Sequence, residues 1–556
     1  MRLHSVRAFV SSTIFSGMLA LGSLTSAKAQ EFKVLYDATG GNAISNPASR
    51  VVTQGREGDM YFTAQNGGSF YGSLFKVSPA GAADIVNDIG YFVVSGATLG
   101  TDGNYYGTNQ DGGPGGGCGF SGCGQIFKVT PAGVETIVYN FTGLGDGSGP
   151  QAAPIQATNG VFYGTTPAGG ANGASTAYSV TSNGTFKTLH TFAESEGQQV
   201  QAELVQGTDG NFYGTAVNGG ANGLGSVFKM TPAGAVTVLH SFAGSDGQNP
   251  CCGLVQDSNG IFYGSTAGGG GEGIAGVIFS ITSAGVYRVL HSIDPAAGDG
   301  TGPGSTLTLG SDGKLYGVTA SGTSGVSGTL FNITTSGSFT TLYTFCASGG
   351  FCTDGYGPSS PVKQNTNGMF YGVTSNGGDA GCSSQGLGCG TVYSLNMKLK
   401  PFISLVSTSG KEGANIGILG QGFTASSLVS FGGVQATVFS RSGSTFLLAT
   451  VPVDALTGTV TVTTGETTLA TVQPFRVTPT LISFDPSSGP VGTPVTITGT
   501  GFLQAAHVTF NGKAATFTVN SDTEITATVP SGATSGKILV TTKGGSVSST
   551  SGFTVN

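Results

Sequence analysis

Asp209-Gly210-Asn211-Phe212-Tyr213-Gly214-Thr215, then Gly225-Ser226-Val227-Phe228-Lys229-Met230-Thr231, then Val238-Leu239-His240-Ser241-Phe242, form one copy of a pattern that recurs in this order from about residue 31 to residue 396. The first segment opens on a turn such as Asp-Gly and ends in Tyr-Gly. Its Tyr recurs at Tyr61, Tyr106, Tyr163, Tyr213, Tyr263, Tyr316 and Tyr371, and Gly follows each except Tyr61, where Phe62 stands. The second segment alternates around an aromatic at Phe75, Phe127, Tyr178, Phe228, Phe279, Phe331 and Tyr393. The third is matched at residues 137–141, 188–192, 289–293 and 341–345, and more weakly at 85–89. A shorter apolar stretch, such as Leu204-Val205-Gln206, precedes each Tyr-Gly segment. Short alternating runs between glycine turns read as strands. Each unit therefore holds four, and four-stranded units of this length are propeller blades.

The count implies closure. Seven Tyr-Gly segments and seven alternating segments are present, but the last unit stops after Leu395 with no third segment. Its counterpart, Phe32-Lys33-Val34-Leu35-Tyr36-Asp37, precedes the first complete unit. An N-terminal strand that completes the last blade closes a ring and leaves no unpaired edge, whereas an open solenoid has no reason to divide a repeat. The expected fold class is all-β: a seven-bladed β-propeller over residues 30–397, closed by an N-terminal strand, then two immunoglobulin-like β-sandwiches at 398–477 and 478–556.

Those last two regions share a pattern. Gly420-Gln421-Gly422-Phe423 matches Gly499-Thr500-Gly501-Phe502, and Ala449-Thr450-Val451-Pro452 matches Ala527-Thr528-Val529-Pro530. Short alternating strands in units under about 100 residues indicate sandwiches. Phe484-Asp485-Pro486-Ser487-Ser488-Gly489-Pro490, followed by Gly-Thr-Gly-Phe, resembles the IPT/TIG immunoglobulin-like domain. The first copy is looser, with Ser407-Thr408-Ser409-Gly410 where Pro is expected. Such modules serve as spacers or accessory binding units, and fold alone does not decide between these. The repeat units, reading Asp-Gly-Asn-Phe-Tyr-Gly-Thr, Asn-Gly-Gly-Ala-Asn-Gly and Ser-Val-Phe-Lys-Met-Thr-Pro-Ala-Gly, resemble the GloVer tandem repeat of bacterial exported proteins. That resemblance implies a secreted or surface repeat protein and no defined reaction, so it transfers no catalytic residue.

Composition sets the compartment and excludes partners. A chain of 556 residues is too long for one core. With 98 Gly and 9% charged residues it would suit disorder, were hydrophobic residues not 38%. Net charge is −7 with no basic cluster, so neither nucleic acid nor an anionic membrane is an expected partner. Residues 1–29 read as a cleavable signal peptide: a basic start, an apolar and small-residue stretch, and Ala27-Lys28-Ala29 before Gln30. No later segment is apolar for long enough to span a bilayer as a helix. The protein is expected outside the cytoplasm: secreted, periplasmic or on the cell surface. Eight cysteines fall as near pairs, Cys118 with Cys123, Cys251 beside Cys252, Cys346 with Cys352 and Cys382 with Cys389. In an exported chain this spacing reads as disulfides, and the C-x-x-C pairs or interleaved His of a zinc site are missing. Adjacent cysteines bond only through a distorted peptide unit, so a bond between Cys251 and Cys252 is left open.

If strands run outward from the ring's centre, tight turns such as Thr231-Pro232-Ala233-Gly234 lie on one face. The long connections 111–124 and 376–390 lie on the other, with the inter-blade Asp-Gly-x-x-Pro loops starting at Asp146, Asp246, Asp299 and Asp354. The cysteines lie in or beside these long loops, which makes that face the candidate contact surface. The four Asp residues are candidate ligand contacts for a sugar hydroxyl or Ca²⁺. Asp-Gly is equally a turn dipeptide, and no motif supports Ca²⁺ or any other cofactor. His190, His240 and His291 share one repeat position with Tyr36, Tyr139 and Tyr343, which suits packing better than catalysis. No G-x-S-x-G, H-E-x-x-H or phosphate-cradle motif is present, so the chain is not expected to be an enzyme. The leading expectation is a secreted or surface binding protein for an extracellular glycan or protein. The alternatives are a carbohydrate-active enzyme using loop carboxylates such as Glu194, Glu196 and Glu203, or a structural envelope component without a ligand.

Overall fold

The computed structural model describes residues 30–39, 44–66, 72–90, 93, 95–114, 117–271, 275–321, 328–347, 351–382 and 388–556. The signal peptide expected at 1–29 and parts of two long connections, 115–116 and 383–387, lie outside them. The protein is all-β; among the described residues helical structure is limited to single 3-10 turns.

Residues 31–396 form seven small antiparallel sheets, one per repeat unit. In the fourth, Val205–Gln206, Phe212–Ala216, Ser226–Met230 and Val236–Ser241 pair in chain order. The Tyr-Gly motif has a steric cause. Gly214 stands opposite Phe228 in the ladder, and a Cβ there would lie 2.7 Å from the Phe228 ring. Where Phe62 replaces this Gly, it stacks on its partner Phe75 at 5.6 Å. The preceding Tyr packs between units. Tyr213 stacks on Phe262 of the next unit at 4.0 Å, as do Tyr106 on Phe162, Tyr163 on Phe212 and Tyr316 on Phe370 at 4.0–4.1 Å. All eight rings are buried. Burying such a ring contributes about 1.5–3 kcal/mol and the aromatic pair about 0.5–1.5 more, so this stack outweighs any single hydrogen bond of the interface.

A glutamine adds direction. Gln206 Oε1 accepts from Thr158 N of the preceding unit at 2.9 Å, while its amide donates to Gly210 O in its own turn at 3.2 Å. Gln156, Gln256 and Gln364 repeat the inter-unit bond with Thr101, Thr208 and Ser311. The first unit meets the seventh in the same way: Gln54 Oε1 accepts from Thr366 N at 2.8 Å. A second recurrent contact sets the loop Pro of one unit over a Gly of the unit before. A Cβ on Gly225 would lie 2.5 Å from Pro250, and one on Gly390 of the last unit 2.7 Å from Pro47 of the first.

The seventh sheet contains Tyr356–Pro358, Lys363–Gln364, Phe370–Asn376 and Thr391–Asn396, and its outermost strand is Glu31–Asp37. The register pairs Phe32 with Leu395 and Val34 with Tyr393, with a bulge that skips Leu35. Val138 and Leu239 are the skipped residues of other outer strands, so the N-terminal strand fills the third-segment place, bulge included. Phe32 stacks on Tyr343 of the sixth unit at 3.8 Å, as Phe186 stacks on Tyr139. One feature was not legible: in three units the inter-unit loop adds a short strand, Ser45–Pro47, Thr301–Pro303 or Tyr356–Pro358, beside the Tyr-Gly strand.

After residue 398 the chain builds two further cores. In the first, seven strands follow one continuous path, because the nine-residue Val434–Ser442 pairs with Leu428–Phe431 and with Phe446–Thr450. Ile416, Phe431, Leu447 and Phe475 fill its core. The second has a four-stranded and a five-stranded sheet around Ile497, Phe510, Ile525 and Phe553. The first module sits on the tight turns of the repeat. Arg56 lies 4.4 Å from the Phe446 ring centre, Thr445 Oγ1 donates to Arg56 O at 2.6 Å, and Gln421 Nε2 donates to Thr366 Oγ1 at 2.9 Å. Arg476 donates to Thr208 O of the fourth unit.

Tyr213 donates to Asp209 Oδ2 at 2.8 Å, and Lys229 and Asn211 also bond this carboxylate. Burial opposes the Asp209 charge, but these bonds outweigh it and hold the carboxyl below its usual range. Its stabilisation is therefore complete above the unfolded carboxylate pKa of about 3.9 and is lost as pH falls through the depressed folded value. Asp209→Asn should cost about 0.5–1 kcal/mol at neutral pH, a modest figure because the group is partly exposed. Urea titrations of both proteins should show the difference closing below about pH 4; a constant difference would refute the charge-based account. Phe32→Ala should cost about 3 kcal/mol, close to Phe186→Ala, if the N-terminal strand is an ordinary outer strand. An unchanged thermal midpoint for Phe32→Ala alone would remove that strand from the folded unit.

Candidate functional site

The third-segment His and Tyr residues meet the inter-unit acids. His240 Nε2 lies 2.9 Å from Asp246 Oδ2 and His291 Nε2 lies 2.7 Å from Asp299 Oδ2, while Tyr139 and Tyr343 donate to Asp146 and Asp354 at 2.9 and 2.8 Å. Each acid also accepts a backbone N–H of its own loop: Thr142 to Asp146, Ala243 to Asp246, Asp294 to Asp299 and Cys346 to Asp354. The opposite face of the His or Tyr ring is used as well. His240 stacks on Tyr287 at 3.9 Å and His291 on Phe339 at 4.5 Å. These four acids thus fix four separate loops to four outer strands and are not brought together. Glu196 takes the same part in the third unit, 2.7 Å from His190 and accepting Ala193 N at 2.9 Å. The sequence marks Glu196 only as a loop carboxylate and not as the counterpart of the four Asp, because Glu replaces Asp and Val200 replaces Pro; Glu196-Gly197 at the matching place is the available signal.

The eight cysteines form four bonds, Cys118–Cys123, Cys251–Cys252, Cys346–Cys352 and Cys382–Cys389. Two of the closed loops hold apolar side chains in the open: Phe120 is fully exposed, and Phe351 and the neighbouring Leu144 are exposed too.

Different residues converge in a cavity of about 240 Å³. Apart from Gln65 of the first unit, its lining comes from chain just ahead of the first strand of five units: Ser49 and Arg50 of the first, Glu203 of the fourth, Cys251 and Cys252 of the fifth, Ser305 and Thr306 of the sixth and Ser359 of the seventh. Each first strand runs from this cavity to the tight turn at its other end, so the cavity and the first C-terminal module lie at opposite ends of the repeat. Arg50 donates to Gln151 Oε1 of the third unit at 2.8 Å and reaches Cys251 O at 3.5 Å. Burial lowers the Arg50 pKa, with the Glu203 charge acting the other way. Burial raises the Glu203 carboxyl, against a hydrogen bond from Thr306 and the charges of Arg50 and Lys363. Thr306 Oγ1 also accepts Gly253 N at 2.8 Å. Gly253 lets the Glu203 side chain lie against the backbone: a Cβ there would lie 2.8 Å from the Glu203 carboxyl carbon. Ser305 is buried, and its Oγ has no hydrogen-bond partner among the described residues. Of the sequence candidates, Glu203, Cys251 and Cys252 are here; Glu194 and the four loop Asp residues are not in this lining. Arg50 carried no sequence signal, because it lies before the first repeat segment and no motif surrounds it.

The repeat geometry agrees with a family assignment. The chain belongs to the Gloeobacter/Verrucomicrobia repeat family, whose model matches residues 8–205, 93–311 and 152–385. The IPT/TIG domain model matches residues 479–555, the second C-terminal module. No curated protein matches the chain. Among solved structures it is similar to the surface glycan-binding protein PbSGBP-B from Prevotella bryantii, at 21% identity and a TM-score of 0.21 over 26% of this chain and 38% of that one. It is similar to SGBP-B from a complex xyloglucan utilization locus in Bacteroides uniformis, at 19% identity and a TM-score of 0.15 over 27% of this chain and 48% of that one. A fungal alcohol oxidase of the AA5 family, in complex with copper, aligns with 95% of this chain and 100% of its own at 13% identity and a TM-score of 0.41. The chain spans less than half the length of the two glycan-binding proteins.

The disulfide loops yield a test. Short loops remove little unfolded-state entropy, about 2 kcal/mol each by the chain-entropy estimate, so their bonds act locally. Reduction should speed hydrogen exchange around Cys118, Cys346 and Cys382 while the seven sheets stay protected. Uniform loss of protection, or no change at those loops, would count against local stiffening.

Proposed function

We propose that this is an exported binding protein of the cell surface or the surrounding medium. In this reading residues 30–397 form a closed seven-bladed propeller, its long-loop end is the contact surface, and the modules at 398–477 and 478–556 space or anchor it. The observation that carries the reading is the cavity, to which five of the seven units contribute and across which Arg50 of the first unit reaches the third and fifth. A site at a common axis is the simplest way for distant units to meet. Ring closure is supported by the Thr366–Gln54 bond and the Gly390–Pro47 contact, which repeat between the seventh and first units what interior neighbours make. The first module occupies the tight-turn end, which leaves the long-loop end for a partner. Export is supported by the leader pattern and by four disulfides.

Binding is favoured over hydrolysis by the same lining. A two-carboxylate glycosidase sets its pair about 5–9.5 Å apart, and Glu203 is the carboxylate this cavity contributes. Glu196 is engaged by His190 in the third unit's own loop. The test is a panel of extracellular polysaccharides and proteins presented to the mature chain, with product release followed on the same panel. Binding should slow hydrogen exchange at residues 48–50, 251–252 and 304–306. Protection confined to the tight turns or to residues 398–556 would sink this reading, and so would release of sugar products.

A further inference from the structure

We propose that the cavity at the long-loop end takes a small hydroxylated carboxylic acid, a uronic acid where the source is a glycan. This rests on the long-loop end being the binding end, and it adds the chemistry of what enters. The first ground is charge. Arg50 lies in the lining, and Lys363, on the first strand of the seventh unit, is near enough for the Glu203 charge to act on it. Two cations, Arg50 in the lining and Lys363 beside it on that strand of the seventh unit, thus act on one carboxylate. The Lys363 side chain is open to solvent, and no ion pair or hydrogen bond engages its amine among the described residues. No ion pair holds Arg50 and Glu203 together either, so the guanidinium keeps donors for an incoming group.

The second ground is independent of charge. Ser305 is 5% exposed and its Oγ lacks a hydrogen-bond partner, although a buried hydroxyl left unpaired is costly. Ser305 lines the cavity, and rotation about its Cα–Cβ bond would bring the hydroxyl to a ligand hydroxyl or carboxylate. Glu203 is held in place by Thr306 and the bare Gly253, so its remaining oxygen lone pairs can accept from a sugar hydroxyl. Size sets the last limit. About 240 Å³ corresponds to roughly eight waters at about 30 Å³ each, room for one sugar ring but below the roughly 300–1,000 Å³ of sites for larger ligands. Desolvation lowers the basicity of Arg50 and Lys363, and the Glu203 charge offsets it only in part.

Calorimetry on the full mature chain tests this with free glucuronate, free galacturonate, glucose and a short oligogalacturonide. The free uronates should bind, glucose should bind at least about tenfold more weakly, and added salt should weaken uronate binding. Lys363→Met, a change at a solvent-open side chain, should lower uronate affinity about tenfold and leave the thermal midpoint in place. Arg50→Met should do the same if it folds, and Lys363→Met decides the matter if it does not. Free uronate and oligogalacturonide binding alike would identify a single acidic ring as the ligand; binding of the oligomer alone would identify its polymer as the source. Glucose binding as tightly as glucuronate, or uronate binding indifferent to Lys363→Met, would overturn the acidic-ligand inference while leaving a binding protein intact. Absence of binding by any of these acids at millimolar concentration would overturn it as well, whereas the broader reading falls only with the panel experiment.

Discussion

The repeat region depends on one contact, the ring of the motif tyrosine laid on the following unit: on an aromatic for Tyr61, Tyr106, Tyr163, Tyr213 and Tyr316, and in one apolar cluster with Leu315 for Tyr263 and with Met60 for Tyr371. A four-stranded sheet of this size cannot bury both faces by itself, so its stability has to come from its neighbours. The stacked ring supplies the apolar area, and its position dictates much else. Because Tyr213 must turn toward the next unit, the residue after it faces its own sheet, under Phe228, and only Gly leaves room there. Because the Tyr hydroxyl then ends near the turn, it needs an acceptor, and Asp209 provides one while shaping the Asp-Gly turn. The motif Asp-Gly-x-x-Tyr-Gly is thus one packing solution read along the chain.

A second layer of contacts, farther out, explains residues that look like chemistry and are architecture. A histidine 2.7–2.9 Å from a carboxylate is a familiar catalytic arrangement. Here it recurs with Tyr in place of His in other units, each carboxylate also accepts a loop N–H, and the rings of Tyr139, His240 and His291 are stacked on the next unit. The acid therefore anchors a loop. The residues from distant units that converge, Arg50 and Glu203 among them, lie instead around the cavity, in stretches where the repeat pattern is weakest.

That division decides what could be read from sequence. Strand number, unit order, the split last unit and the near pairing of cysteines were legible, because each depends on local periodicity and repeats several times. The N-terminal strand was legible because Phe32 to Asp37 copies a segment found elsewhere. The short strand at Thr301–Pro303 was not, since a loop residue's pairing is settled by its neighbour in space. The cavity was largely illegible for the same reason. Arg50 and Glu203 are 153 positions apart in the chain and belong to no shared motif. Their meeting follows from how many units intervene and how each one turns the next, which is global information. The first C-terminal module shows the converse: its likeness to the second is visible in matched Gly-x-Gly-Phe segments, yet Val434–Ser442 joins its strands into one path.

The outer strand of the seventh sheet has a kinetic consequence. Glu31 pairs with Asn396 across roughly 360 residues, whereas a hairpin within a unit closes over about a dozen. Loop-closure entropy makes the longer connection harder by about 3 kcal/mol, so the local hairpins form first and this joint last. Until it forms, Thr391–Asn396 offers a bare edge that accepts any strand of matching pattern, and the best match in a concentrated solution is residues 31–37 of another copy. The same design that completes the seventh sheet within one molecule therefore also provides a route to exchange between two, and dilution during refolding favours the self-paired form.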